Sequence, residues 1–222
     1  LLPMTLLPMT LLPMTLLPMT LREQKKRQAR EDILKAAREL IESVGFDAAR
    51  MRDIANAANV SYQTLYNYFP TKTQILQGIL QQDLSHYADQ LHSDEYRYRG
   101  DLRASLLKLA RLSLSVITPE NRDLWRIATL NLLGGDSEVL GLATWISTNS
   151  LEALQLQLSR AQEFGELSRD APAPLIADTL YVLVDYMVLR YLIDPDTTEQ
   201  AVVKLLEDQI ALIITPHLQT PS

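Results

Sequence analysis

The chain has 222 residues, 47% of them hydrophobic, and a formal net charge of −6. This apolar content is enough to bury a core, which places the chain among globular proteins. The lack of cysteine excludes disulfides, thiolate metal sites and cysteine nucleophiles, and it fits a reducing, cytoplasmic location. Taken as a whole, the acidic charge argues against nucleic-acid binding.

The first twenty residues repeat the unit LLPMT four times. A proline in every five residues prevents a continuous helix, so this apolar stretch is a poor membrane span, and we expect no membrane partner. It also lacks the basic segment of a secretory signal. We interpret residues 1–20 as an in-frame repeat upstream of the true start, with Met19 as the natural initiator, rather than as an apolar tail that binds something. We expect the repeat to be disordered.

Apolar residues at helical spacing occupy the remaining chain, and no region shows the period-two alternation of a half-buried strand. Gly45 is a helix stop, Asn59 is suited to a left-handed turn, and Ser61 and Thr71 are suited to N-caps. Gly134-Gly135-Asp136 reads as a turn. We therefore predict an all-α fold. The predicted helices are 23–44, 50–58, 61–69, a fourth that starts at 71, then 102–117, 119–133, 137–164, 174–193 and 197–214.

The second and third helices form a helix-turn-helix pattern, and their surroundings are basic. Ten Lys/Arg stand against seven Asp/Glu between Leu21 and Lys72, although the chain as a whole is acidic. At 100° per residue, Leu65 and Phe69 of the third helix point to the core. Its predicted outer face is uncharged and rich in hydrogen-bonding groups, as base-edge and phosphate contacts require. That face carries Gln63, Thr64, Asn67 and Tyr68. Tyr62 and Tyr66 flank the core, and the pattern leaves open whether they pack in the core or contact DNA.

The stretch GFDAARMRDIANAANVSYQTLYNYFPTKTQIL, with REDILKAARELIESVGF before it, resembles the DNA-binding signature of TetR-type transcriptional regulators. The resemblance implies an all-α homodimer with an N-terminal three-helix DNA-binding domain, expected at 21–70. It implies a larger helical domain for effector binding and dimerisation, expected at 71–222, with the last two helices at the dimer interface. The implied partners are double-stranded operator DNA, a small-molecule effector and a second copy of the chain, with no cofactor.

The resemblance also assigns DNA contacts to residues that match the motif. Tyr66 matches a tyrosine that touches the DNA backbone or a thymine methyl group, and Lys72 matches a phosphate-binding lysine. Ala49-Arg50 stands where the family usually has a capping Thr or Ser, so Arg50 would take over that phosphate contact. A basic run before the first helix would reach along the backbone or into a minor groove, or else is only a solvated helix start. The full implied set is Lys25, Lys26, Arg27, Arg50, Arg52, Tyr62, Gln63, Thr64, Tyr66, Asn67, Tyr68 and Lys72.

Catalytic and metal-binding patterns are not recognisable in the sequence. His86 and His92 are six residues apart, which does not place two ligands on one helix face. Asp178 and Asp185 recur seven apart and read as a solvated or interface-edge face rather than as a catalytic pair. We therefore expect neither an enzyme nor a metal site.

The effector pocket is the least predictable feature, because aromatic and methionine residues at helical spacing are usually plain core. The candidate lining residues are Trp125, Trp145, Tyr181, Tyr186 and Met187. We expect a ligand-responsive repressor that binds a palindromic operator as a dimer and is released by its effector. The alternative is a helical regulatory protein that is controlled by a protein partner rather than by a small ligand.

Overall fold

The computed structural model describes residues 20–91, 93–133 and 137–219. Within these ranges nine α-helices form the molecule, and the one β pairing is an isolated antiparallel bridge between Leu167 and Leu218. The all-α prediction is therefore confirmed. The repeat up to Met19, His92 and the predicted turn at 134–136 lie outside the described residues. The helices are α1 Leu21–Val44, α2 Met51–Ala57, α3 Tyr62–Tyr68, α4 Lys72–Leu91, α5 Leu102–Ser115, α6 Arg122–Leu133, α7 Ser137–Glu163, α8 Ala173–Ile193 and α9 Glu199–Ile214.

Local sequence sets the ends of the N-terminal helices. α1 begins two residues before its predicted start because Thr20 and Glu23 form a capping box, in which each side chain accepts the other's backbone N–H. The turn between α2 and α3 is the predicted one, since Asn59 has a φ of 53°. Ser61 caps α3 as predicted, and its hydroxyl accepts from the backbone N–H of Thr64 at 3.0 Å.

α4 packs against α1 with its N-terminal half and against α6 and α7 further along. The contact with α1 is close at Gly78, where an added Cβ would lie 2.8 Å from Leu34 Cδ2. Leu34 is fully buried there, and burial of such a side chain contributes about 1.5–3 kcal/mol to folding. α4 is thus one continuous rod shared by the helix-turn-helix module and the C-terminal helices.

A polar cluster fixes α1, α4 and the start of α6 to one another. The Arg38 guanidinium donates to Asp83 Oδ1 at 2.6 Å, and the Asn121 amide donates to Asp83 Oδ2 at 3.1 Å. Asn121 is itself buried, and its side-chain oxygen accepts from the backbone N–H of Thr118 at 2.7 Å. This bond holds a turn before α6, which explains why α6 starts at Arg122 instead of at the predicted Pro119.

Arg122, the first residue of α6, joins this helix to the C-terminal end of α8. Its guanidinium donates to the backbone oxygens of Tyr191 and Asp194, and it lies 4.5 Å above the ring of Tyr191. These carbonyls belong to the last turn and the C-cap of α8, where backbone oxygens lack intrahelical partners. Arg122 therefore fixes the start of α6 to the C-terminal end of α8 within the bundle of C-terminal helices.

Candidate DNA-binding surface and ligand cavity

The exposed strip of α3 consists of two tyrosines and two amides. Tyr62 and Tyr66 are each 48% exposed, and their rings stack with centroids 6.5 Å apart. Beside them the Gln63 side chain donates to Asn67 Oδ1 at 3.1 Å. Leu65 is fully buried beneath the strip. The strip thus offers aromatic edges, hydroxyls and amides, which are groups that read base edges and phosphates in a major groove.

The boundary of this strip differs from the predicted one. Thr64 and Tyr68, expected to face outward, are half-buried, and Tyr68 packs against the core. Tyr62 and Tyr66, expected at the edge of the core, are the exposed pair. The expected outward position of Tyr68 is therefore wrong. Helical angles show that Leu65 points to the core, but they do not show on which side of α3 the neighbouring helices lie.

Two exposed arginines, one in α2 and one at its N-cap, carry positive charge in the helix before α3. Arg52 is exposed, and its guanidinium lies 6.0 Å from the centre of the Tyr62 ring. Arg50 is the exposed N-cap of α2, and no side chain caps this helix end. The weakened cap expected from Ala49-Arg50 is thereby confirmed. Uncharged reading groups on α3 and cations on α2 form one surface, which we call the α2–α3 surface, defined by Arg50, Arg52, Tyr62, Gln63, Tyr66 and Asn67.

Lys72 holds the connection between α1 and α2. Its ammonium donates to the backbone oxygens of Phe46, Asp47 and Ala49 at 2.5–3.3 Å, and it lies 4.3 Å from the centre of the Phe46 ring. The side chain is only partly exposed. Lys72 is therefore a positioning residue for the start of α2, and its implied phosphate contact stays a prediction.

The basic run Lys25, Lys26 and Arg27 lies inside α1 and not before it. All three residues are exposed, and Arg27 Nε lies 3.6 Å from Glu31 on the next turn. The expected position of this run before the first helix is thus wrong, because the capping box starts α1 at Leu21, and its contact with DNA stays a prediction. The three cations can act only from the surface of a helix.

A cavity of about 250 Å³ lies among α4, α5, α6, α7 and α8. Of the five predicted lining residues, Trp125 and Tyr181 line it, whereas Trp145, Tyr186 and Met187 do not. Met187 is buried on another face of α8, and Tyr186 is exposed on the outside of that helix. Most of the wall is aliphatic. It includes Leu84, Leu91, Leu109, Val116, Ile117, Leu132, Val139, Leu142, Ile146, Leu154, Val184, Val188, Leu189 and Leu192.

The cavity wall carries several polar groups, of which Tyr87, Ser113, Ser150 and Asp185 were not predicted from the sequence. The Tyr87 hydroxyl lies 2.8 Å from the Ser150 hydroxyl and 3.3 Å from that of Ser113. Trp125 is 8% exposed, and its indole Nε1 is buried without a hydrogen-bond partner. Asp185 also lines the cavity, and desolvation raises the pKa of its carboxyl group. Asp185 is the one acid in the mostly apolar stretch 179–193 of α8, and this was the available signal for it.

Two other kinds of site have no support in the described parts of the chain. No group of three or more His, Cys, Asp or Glu residues in the described ranges is placed to hold a metal ion. Among the helices that the structure describes, none is long and apolar enough to cross a membrane.

Comparison with known proteins agrees with the geometry. The family model for bacterial regulatory proteins of the TetR family matches residues 33–79, from α1 into α4. The chain is 39% identical over 69 residues to the uncharacterized HTH-type transcriptional regulator YvdT of Bacillus subtilis. It is 37% identical over 60 residues to the HTH-type transcriptional repressor KstR of Mycobacterium tuberculosis. These matches cover 29% and 27% of this chain, and only 36% and 27% of the relatives' lengths.

A solved structure extends the similarity beyond the helix-turn-helix module. The TetR-family transcriptional repressor FadR of Thermus thermophilus, in complex with lauroyl-CoA, is 25% identical, with a TM-score of 0.64. The match covers 87% of this chain and 97% of that one. The same arrangement of helices therefore continues through the C-terminal bundle. Residues 33–79 therefore match the DNA-binding region of the TetR family of regulatory proteins, and the chain as a whole shares the fold of a TetR-family repressor.

Proposed function

We propose that this DNA-binding regulator is a ligand-responsive repressor that binds a palindromic operator as a homodimer. In this proposal residues 21–70 bind DNA, residues 71–222 bind the effector and dimerise, and the protein acts in the cytoplasm without catalysis. The α2–α3 surface carries the proposal, because exposed tyrosines and amides adjoin the exposed Arg52 there, and Arg50 is exposed at the start of α2. The amides and hydroxyls would read bases, while Arg50 and Arg52 would pair with phosphates.

An apolar stripe on α8 supports the homodimer. Leu175, Val182, Tyr186 and Ile193 are 55–64% exposed and recur at spacings of seven, four and seven residues. Such spacing places them on one face of the helix, as in the seam of a helical bundle. Leu212 of α9 adds a side chain that is 76% exposed. A contiguous exposed apolar face of this kind is typical of a protein interface, and a second copy would bring two recognition surfaces onto one operator.

The position of the cavity supports control by a small ligand over control by a protein partner. α4 contributes Leu84 and Tyr87 to the cavity wall and also packs on α1 through Gly78. An effector that binds better when α4 is displaced would shift the population toward a form with a different spacing of recognition helices. DNA affinity then falls by the same factor by which DNA weakens effector binding. The similarity to the repressor KstR is consistent with repression, and the similarity to FadR in complex with lauroyl-CoA is consistent with a small ligand.

Selection of DNA fragments from a random duplex pool by the full chain tests the function. We expect enrichment of one sequence with inverted half-sites. Tyr66→Phe removes only a hydroxyl from each copy and is expected to weaken binding of the dimer to the selected site by about a hundredfold, since one hydrogen bond to a charged group is worth about tenfold. Gln63→Ala is expected to relax preference at one position in each half-site.

The matched control is Gln82→Ala, because Gln82 is an exposed glutamine on α4, outside the α2–α3 surface. It should select the same sequence with the same affinity as the unaltered chain. Selection without any enriched sequence would contradict the regulator function. Unchanged affinity in both Tyr66→Phe and Gln63→Ala would remove the assignment of the surface.

A further inference from the structure

The chemistry of the cavity wall restricts the ligand that it can hold. The lining residues include no Lys, Arg or His among those that the structure describes, and one carboxylate, that of Asp185. An anionic head group would therefore face a negative charge without a compensating cation. A neutral apolar ligand would place its apolar surface against the Asp185 carboxylate. The carboxylate would then lose solvation, which makes its charge unfavourable.

Asp185 lies where the cavity meets the surface, since its residue both lines the cavity and is exposed. Partial burial nevertheless desolvates its carboxyl group and raises its pKa. The neighbouring Tyr181 has its pKa raised by burial and, next, by the charge of Asp185. A positive charge placed beside Asp185 would relieve this desolvation, and the ring of Tyr181 provides an aromatic surface that also attracts cations.

A second polar group on the wall also lacks a partner. The indole Nε1 of Trp125 is buried and has no hydrogen-bond partner among the described residues. A buried donor that stays unpaired costs about 1–3 kcal/mol, so a ligand that accepts this hydrogen bond gains affinity. Trp125 belongs to α6 and Asp185 to α8, so the two unpaired groups come from different helices of the wall.

We propose that the effector is a small hydrophobic amine that is protonated at neutral pH, with its ammonium at Asp185 and a hydrogen-bond acceptor at Trp125 Nε1. The aliphatic wall between these groups holds the apolar body. The cavity of about 250 Å³ lies just below the range of about 300–1,000 Å³ for pockets of drug-sized ligands, so its ligand must be small. This ligand class rests on the proposed function, in which the same cavity receives the effector.

Three probes with one body and different heads test the charge: 4-butoxybenzylamine, 4-butoxybenzyl alcohol and 4-butoxybenzoate. Each is titrated into the full chain by calorimetry in the absence of DNA. We expect the amine to bind at least about tenfold more tightly than the alcohol, as for one charge-assisted hydrogen bond, and the benzoate to bind most weakly. Asp185→Asn should remove the preference for the amine. The control Asp178→Asn should keep it, because Asp178 is an exposed aspartate on the same helix that does not line the cavity.

A fourth probe, 4-pentylbenzylamine, replaces the ether oxygen by a methylene group and tests the Trp125 contact. The unaltered chain should bind the butoxy amine more tightly than the pentyl amine, and Trp125→Phe should abolish that difference. Equal binding of amine and alcohol, binding of no probe, or an unchanged amine preference in Asp185→Asn would overturn the ligand class. Because DNA is absent, these outcomes leave the regulator function intact, whereas failure to select DNA overturns that function alone.

Discussion

Lys72 shows how one side chain can determine the placement of a surface that it does not belong to. Its ammonium bonds to three backbone oxygens of the α1–α2 connection, which leads directly into Arg50 and α2. Lysine has three donor hydrogens and no acceptor, so these oxygens match its full capacity. The orientation of α2 therefore depends on a residue at the start of α4.

The first prediction concerns the stability that Lys72 provides. Lys72→Met keeps the aliphatic stem over Phe46 and removes the donors, so we expect the free energy of unfolding to fall by about 1–3 kcal/mol. Urea denaturation of the full chain measures this change. Lys35→Met alters an exposed lysine on α1 and should change the value by less than about 0.5 kcal/mol. Equal effects of the two substitutions would contradict the positioning role.

The second prediction follows from the raised pKa of Asp185. The folded state disfavours its charged form, so ionisation destabilises the fold above the folded pKa, and the penalty disappears below the ordinary value of 3.8. Asp185→Asn should therefore have a higher melting temperature than the unaltered chain at pH 7. The difference should shrink to zero as the pH falls through the folded pKa to below 3.8.

Melting curves of the full chain and Asp185→Asn between pH 3 and pH 8 provide the measurement. Asp178→Asn is the control for the loss of one negative charge from α8, and it should show no comparable gain at pH 7. A gain of the same size at every pH would mean that packing, and not the charge of Asp185, causes the difference.

Among the helices, α4 connects the helix-turn-helix module to the cavity, and the Arg38–Asp83 ion pair links it directly to α1. The two side chains are only 25% and 19% exposed, and their atoms are 2.6 Å apart. Water screens such a pair less than it screens a surface pair, so the attraction between the two charges is stronger. Asp83 also accepts from Asn121 before α6, which joins three elements at one carboxylate.

A double-mutant cycle tests this link. We expect Arg38→Ala and Asp83→Ala to show a coupling energy of about 1–3 kcal/mol in denaturation experiments. The cycle for Arg27→Ala and Glu31→Ala is a matched control, because that pair is exposed and its atoms are 3.6 Å apart. Its coupling should be about 0.5 kcal/mol or less. Equal couplings would show that Asp83 does not fix α1 to α4 through Arg38.

Helices and their caps could be predicted from the sequence because their causes are local. Ser61 and Asn59 act on residues within one turn of themselves, and both behave as predicted. The half-buried position of Tyr68, the carbonyl partners of Lys72 and the cavity position of Asp185 depend on helices distant in sequence. Periodicity gives the spacing of such residues but not their neighbours, so these features required the structure.

At the scale of the molecule, the exposed stripe on α8 predicts that the chain dimerises. Val182→Asp places a negative charge in the middle of the stripe. In a dimer this charge would be buried close to the same charge of the second copy. We expect dimerisation to weaken by about 3–5 kcal/mol, the cost of an uncompensated buried charge. Sedimentation velocity measures the shift to monomer. Leu130→Asp is the control, because Leu130 is 56% exposed on α6, away from the stripe, and its variant should remain dimeric.

The unequal charge of the chain gives a last prediction that joins DNA binding to dimerisation. Residues 21–72 have a surplus of three positive charges, although the whole chain carries −6. Operator affinity should fall steeply with salt, since each phosphate contact adds about −0.9 to the slope of log affinity against log salt. If two copies bind, Arg52→Ala removes two contacts and should reduce the slope by about two units, and by about one if a single copy binds.

Arg169→Ala is the control for this measurement, because it removes an exposed arginine from the C-terminal part and should leave the slope unchanged. In Val182→Asp at a concentration where the variant is monomeric, Arg52→Ala should reduce the slope by only about one unit, since a single α2–α3 surface then meets the DNA. An affinity that hardly changes with salt would contradict the phosphate contacts. A reduction of one unit in the dimeric chain would mean that only one recognition surface reaches the operator, and the palindromic arrangement would be wrong.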